Sequence, residues 1–146
     1  MKTPLVIGYR HTGIICKDIN ASLTFYRDLL GLQVIQDLWD DSDYINEITG
    51  LTNANVHMIK LQALDGTVLE ILEYVGYPTE LIDQPVYNVG AAHIALQVAD
   101  ARTAYDELNA AGMTLLSEPI ESSEGIAVVF FCLDPSGVRI ELVEML

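Results

Sequence analysis

HTGIICKDINASLTFYRDLLGL, residues 11–32, and HIALQVADARTAYDELNAAG, residues 93–112, are two versions of one pattern. Each opens on a His (His11, His93), reaches an Asp seven residues later (Asp18, Asp100), continues as a helical stretch and stops at a Gly (Gly31, Gly112). The halves also close alike. DGTVLEILEY places Glu70 in the middle of an apolar strand, and DPSGVRIELVE does the same with Glu141. An unpaired carboxylate is costly to bury, so a Glu at that place in both repeats calls for a partner. Two His and two Glu at equivalent positions can meet at one point if the halves pack about a pseudo-two-fold axis. His11, Glu70, His93 and Glu141 therefore read as ligands of a divalent metal.

The stretches between these landmarks give the architecture. Residues 8–16 alternate and are rich in β-branched side chains, which predicts a strand. Asp18 or Asn20 caps the following helix. Its Leu23, Tyr26, Leu29 and Leu30 fall on one face, and Gly31 ends it. Residues 32–36 read as a strand and 37–54 as a mixed loop with room for a helical turn. Residues 55–63 and 67–74 form a hairpin around Asp65-Gly66. Residues 75–91, with Gly76, Pro78, Pro85 and Gly90, are the linker. The second half repeats the order: strand 93–98, helix 100–111, strand 113–118, then two strands joined by the Pro135-Ser136-Gly137 turn. The expected fold is α+β, a single domain over 1–146 with internal repeats at 5–75 and 90–146. Each repeat is βαβββ, its sheet covering one face with a helix and leaving the other for a shared cavity.

Composition narrows the function. Of 146 residues, 51% are hydrophobic, enough for a sizeable core. No apolar run reaches the ~18 residues of a membrane span, and the N-terminus lacks the apolar stretch and cleavage site of a secretory signal. Cys16 and Cys132 lie in apolar strands and read as reduced, buried thiols, placing the chain in the cytoplasm. The net charge of −14, from 7 Lys and Arg against 21 Asp and Glu, repels nucleic acid and anionic membranes. It also opposes a highly anionic substrate unless the metal or a local Lys or Arg offsets it.

With these pieces in order, the chain resembles the vicinal oxygen chelate superfamily, the glyoxalase/bleomycin-resistance/dioxygenase group. The resemblance rests on H-x-G-I-x-x-x-D-I-x-x-S-L-x-F-Y-x-D-L-L-G-L at 11–32, G-T-V-L-E-I-L-E at 66–73, H-I-A-L-x-V at 93–98 and D-P-S-G-V-R-I-E-L-V-E at 134–144. It implies two paired βαβββ modules forming a cup-shaped mixed sheet around a divalent ion, with His11 and Glu70 as first-half ligands and His93 and Glu141 as second-half ligands. Imidazole and carboxylate suit Zn, Ni, Co, Mn or Fe, and the absence of thiolate argues against a closed structural Zn site. Four protein ligands in an octahedral shell leave two positions for water or two substrate oxygens.

The implied chemistry is proton transfer next to a carbonyl of a small-molecule substrate, through an enediolate whose charge the metal offsets. The His/Glu/His/Glu set resembles glyoxalase I. Extradiol-type dioxygenases of the group need only the His11, His93 and Glu141 positions. The chain departs from bacterial glyoxalase I at Ile15 and Tyr74, where that family carries an Arg and an Asn for glutathione. A related lyase, isomerase or epimerase is the equal expectation. Glu70 or Glu141 acts as base by resemblance to glyoxalase I. His57 is the alternative by resemblance to the epimerases, or else an edge-strand His facing solvent. Trp39, Tyr44 and Tyr74 either line a pocket or only pack. Arg139 shares a strand face with Glu141, to bind a substrate carboxylate or phosphate or to pair with a neighbouring Glu. The competing class is a metal-free drug-binding protein of the bleomycin-resistance kind, whose acidity would suit a cationic drug. The group's habits and the apolar content predict a homodimer.

Overall fold

The computed structural model describes residues 3–146; Met1 and Lys2, part of the expected 1–146 domain and of the N-terminus scanned for a signal, lie outside the described residues. The fold is α+β, with two sheets. In the first, β1 (Thr12–Ile15), β2 (Gln33–Asp40), β3 (Val56–Gln62) and β4 (Val68–Tyr74) lie in the order β1-β4-β3-β2. In the second, β5 (Ile94–Gln97), β6 (Thr114–Leu115), β7 (Ile120–Glu121), β8 (Ala127–Leu133) and β9 (Arg139–Met145) lie in the order β5-β9-β8-β6, with β7 also paired to β8. The opening strand of each repeat runs parallel to the closing one, β1 to β4 and β5 to β9. The two repeats are thus equivalent in topology as well as in sequence.

Helix α1 (Ile19–Leu23) starts where Asp18 accepts hydrogen bonds from the Asn20 and Ala21 amides at 2.9 and 3.2 Å. Asp100 caps α3 (Ala101–Ala110) through the Thr103 amide at 2.8 Å. Helix α1 then widens into π-helical turns over Thr24–Leu29, and the Leu30 amide bonds back to the Phe25 carbonyl. A π turn holds more residues than an α turn. Adjacent Phe25 and Tyr26 both turn inward and are buried, where the regular helical spacing placed only Tyr26 inside. Gly31 takes the left-handed conformation (φ 78°) that stops the helix at little cost to glycine.

Three expectations change. Strand β1 begins at Thr12, so residues 8–11 lead into the sheet without pairing. Residues 37–40 belong to β2, because the long β3 gives them partners from Ile59 to Val56; the rest of the expected loop holds α2 (Asp43–Thr49). The expected strand 113–118 shrinks to two residues, and β7 takes up the pairing along β8.

One core unites the halves. Ile14, Ile59, Leu61 and Ile71 of the first sheet and Phe130, Cys132, Ile140 and Leu142 of the second join Phe25, Tyr26 and Leu108 of the helices. The Tyr26 hydroxyl donates to Asp134 across the halves at 2.9 Å. Asp134 also accepts from the Ser136 and Val138 amides at 2.8 Å. Burial raises the Asp134 carboxyl above its ordinary value, against those hydrogen bonds. Both cysteines are free and buried, with their thiols pushed up to about 11 (Cys16) and about 12 (Cys132) by desolvation. Among the described residues no helix is long and apolar enough to cross a membrane.

Candidate metal centre

Cross-strand neighbours point to the same side of a sheet, so the registers assign every side chain to a face. Opposite Glu70 stand Lys60 on β3 and Gly13 on β1, with Leu72 and its partner Met58 two residues along. Opposite Ile71 stand Ile59 and Ile14, which belong to the shared core. Glu70 therefore projects from the face opposite the shared core, the face whose far end α2 covers. In the second sheet the same rule puts Ala95, Phe131 and Glu141 on one face and Ile94, Cys132 and Ile140 on the core face.

On each outer face a His from just before the opening strand meets the Glu. His11 Nε2 lies 3.2 Å from Glu70 Oε2, and His93 Nε2 lies 2.9 Å from Glu141 Oε2. Two donors in adjacent positions of an octahedral ion, each about 2.1 Å from it, stand roughly 3 Å apart. Both pairs match that spacing. The third imidazole–carboxylate contact, His57 Nε2 to Asp37 Oδ1 at 2.7 Å, is a hydrogen bond. His11 Nδ1 is buried without a hydrogen-bond partner. A neutral imidazole and a carboxylate converging through Nε2 and Oε2 are a donor set that fits a divalent ion.

Glu70 divides its oxygens. Oε2 faces His11, while Oε1 lies 3.7 Å from Lys60 Nζ. Glu141 has Phe131 across the strand instead, and the Phe131 ring meets His93 edge-on at 5.5 Å between centroids. Gly13 leaves room beside this corner; a Cβ there would come within 3.6 Å of Leu72 Cδ1 and 3.9 Å of Glu70 Oε2.

The four expected ligands thus form two pairs, one on each sheet. Among the described residues of one chain, no three His, Cys, Asp or Glu are grouped closely enough to hold a metal. A cavity of about 560 Å³ between β1, the linker and the start of β9 is lined by Gly13, His93 and Arg139 but by neither ligand carboxylate.

His57 lies elsewhere. Its partners are Glu73 on β4 and Trp39 on β2, on the face that carries Ile59 and Ile71 of the shared core and away from Glu70. Its ring stacks on Trp39 with centroids 4.3 Å apart. Tyr44 and Trp39 are exposed, and Tyr74 packs with Ile45, Val56 and Leu72 under α2. Arg139 does share the Glu141 face, two residues before it. The residue that the sequence reading passed over is Lys60. The sequence hid it: Asp65-Gly66 as a two-residue turn would set Lys60 against Ile71, whereas the chain turns through the three residues 64–66, closed by the Ala63–Thr67 hydrogen bond, and so sets Lys60 against Glu70.

Comparison with known proteins agrees with this topology. Residues 8–142 match the model of the Glyoxalase/Bleomycin resistance protein/Dioxygenase superfamily. The uncharacterized protein YwbC of Bacillus subtilis is 30% identical over 90% of this chain and 92% of its own length. A probable lactoylglutathione lyase of Synechocystis is 27% identical, covering 92% of each. The crystal structure of a glyoxalase family protein from Bacillus cereus superposes with a TM-score of 0.88 at 19% identity, over 100% of this chain and 99% of that one.

Proposed function

The chain belongs to the glyoxalase/bleomycin resistance protein/dioxygenase superfamily, and from that premise we propose that it is a divalent-metal-dependent lyase, isomerase or epimerase acting next to a carbonyl of a small metabolite. The observation that carries the reading is the repetition of one half-site, His11–Glu70 at 3.2 Å and His93–Glu141 at 2.9 Å, on equivalent strands of the two sheets. A His₂Glu₂ centre needs both halves. Since one chain holds them as separate pairs, the proposed centre joins His11 and Glu70 of one copy to His93 and Glu141 of a second in a homodimer. Apolar surface supports such pairing. Leu5, Val6, Ile7 and Tyr9 before β1, and Leu81, Ile82, Tyr87 and Val89 in the linker, are each 70% exposed or more in the single chain.

When bound, a divalent ion offsets negative charge developing on two vicinal substrate oxygens. The chain supplies the rest. His11 and His93 hold the ion as neutral donors. Glu70, tethered through Oε1 to Lys60, is the fixed ligand. Glu141, beside the apolar Phe131, is the carboxylate freer to take the proton from the carbon next to the carbonyl. The candidate metals are Zn, Ni, Co, Mn and Fe.

Metal analysis and proton exchange test the proposal together. Protein purified without chelator should contain about one divalent ion per chain, and the loaded enzyme should exchange a substrate α-proton for deuterium by NMR. Protein that takes up none of the five metals at micromolar concentration would contradict it. Catechol-dependent oxygen uptake by the Fe(II) form, with no exchange on carbonyl compounds, would assign the chain to the dioxygenases of the superfamily instead.

A further inference from the structure

We infer that the substrate carries a carboxylate beyond the two oxygens that would chelate the metal, held by Lys60 from one half-site and Arg139 from the other. The inference rests on the proposed two-copy centre and names the class of molecule that centre takes: a small carbonyl acid bearing a second carboxylate.

The argument is one of charge placed where charge is scarce. The chain has 7 Lys and Arg against 21 Asp and Glu, yet each ligand face carries a cation close to its Glu. Lys60 is directly opposite Glu70, with its side chain only 21% exposed and Nζ 3.7 Å from Oε1. Arg139 is two residues from Glu141 on the same face and lines the cavity beside His93. Among the described residues Arg139 has no ion-pair partner. Neither cation recurs at the equivalent place in the other repeat, where Phe131 answers to Lys60 and Val68 to Arg139. They are additions to the repeated design, one per half, and do not follow from the fold.

In the completed centre the two carboxylates and a divalent ion cancel, and the imidazoles are neutral. Lys60 and Arg139 then leave the site with two positive charges. The other acid on the first ligand face, Asp40, pairs across to Val56 at the far end of the sheet and is engaged by Ser42. A chelating 2-oxo acid with a carboxylate arm has two negative charges and matches the excess; a phosphate arm overshoots it. The ammonium has three donors and the guanidinium five, so both keep donors for the arm. An Arg fork can hold a carboxylate through two parallel N–H···O bonds, and the charge balance favours the carboxylate arm.

The test uses two probes of equal chain length, 2-oxoglutarate with the arm and 2-oxopentanoate without it, titrated calorimetrically into Zn(II)-loaded dimer. The expected result is 2-oxoglutarate binding about tenfold more tightly, the effect of one charge-assisted hydrogen bond, with the advantage shrinking as ionic strength rises. Arg139→Gln should remove most of that advantage while leaving zinc content and 2-oxopentanoate affinity unchanged. Lys60→Met should also narrow the advantage, but because Lys60 tethers Glu70 its zinc content should fall too, so Arg139→Gln decides the matter. Equal affinity for both probes in stoichiometrically loaded wild type would overturn the inference and leave the metal centre standing. Failure to take up any of the five candidate metals would overturn both.

Discussion

His57 and Glu70 stand on opposite faces of the first sheet: His57 pairs with Glu73 across the β3–β4 ladder, Glu70 with Lys60. The one-residue offset between the two rows puts His57 and the candidate metal site on opposite sides of the sheet. His57 is engaged by Asp37 at 2.7 Å and by the Trp39 ring. We predict that His57→Ala leaves turnover within about twofold of wild type. It should lower unfolding stability by ~1 kcal/mol, as loss of a partly exposed hydrogen bond and a stacked ring contact does. Steady-state kinetics beside chemical denaturation checks both halves of the statement.

Glu141→Gln should separate binding from catalysis. The amide still offers an oxygen to the ion, so most metal should remain, while loss of a general base slows turnover by ~10²–10⁴-fold. Glu70→Gln should instead weaken metal retention in dialysis, since Glu70 is proposed as the fixed ligand. The reverse pattern would exchange the two roles.

Tyr26→Phe leaves Asp134 short of one donor in a buried site shared by both halves. Stability should fall by about 1–3 kcal/mol, with metal content unchanged. Urea denaturation followed by circular dichroism measures the first and metal analysis the second.

The same carboxyl gives a pH dependence. Burial raises Asp134 in the folded chain above its ordinary value, so between those two values the folded state binds more protons than the unfolded one. This group's contribution to stability is therefore fully present below the ordinary carboxylate range and is lost as pH rises through the raised value. Asp134→Asn, which keeps an acceptor for the Ser136 and Val138 amides, should flatten that decline in denaturation midpoints across mildly acidic pH.

The two His–Glu pairs were legible in the sequence because a Glu within an apolar strand is conspicuous and the repeat gives it twice. The helix caps were legible for a similar reason: Asp18 and Asp100 stand at equal distances from His11 and His93, and each accepts from its own helix. The face of His57 was not. Alternation sorts β3 into two sets, but Val56 in one and Ile59 and Leu61 in the other are all buried, because α2 covers part of one side and α1 the other. Composition could not say which set faces the ligands. The span 37–54 was misread since its polar run, DLWDDSDY, hides that β3 extends far enough to pair with Asp37 and Asp40. Nor could spacing decide whether the His–Glu pairs meet within one chain, because that depends on how two finished modules pack.

Subunit complementation tests the shared centre most directly. His11→Ala and His93→Ala proteins should each lose metal and activity. In a heterodimer of the two, one site carries both substitutions and the other carries neither. Mixing the inactive variants under conditions of subunit exchange should therefore restore one metal ion per heterodimer and about half of wild-type activity per heterodimer. The account predicts that recovery; mixtures that stay inactive and metal-free although mass spectrometry shows heterodimers, or a wild-type protein that binds metal and turns over as a monomer, would contradict it.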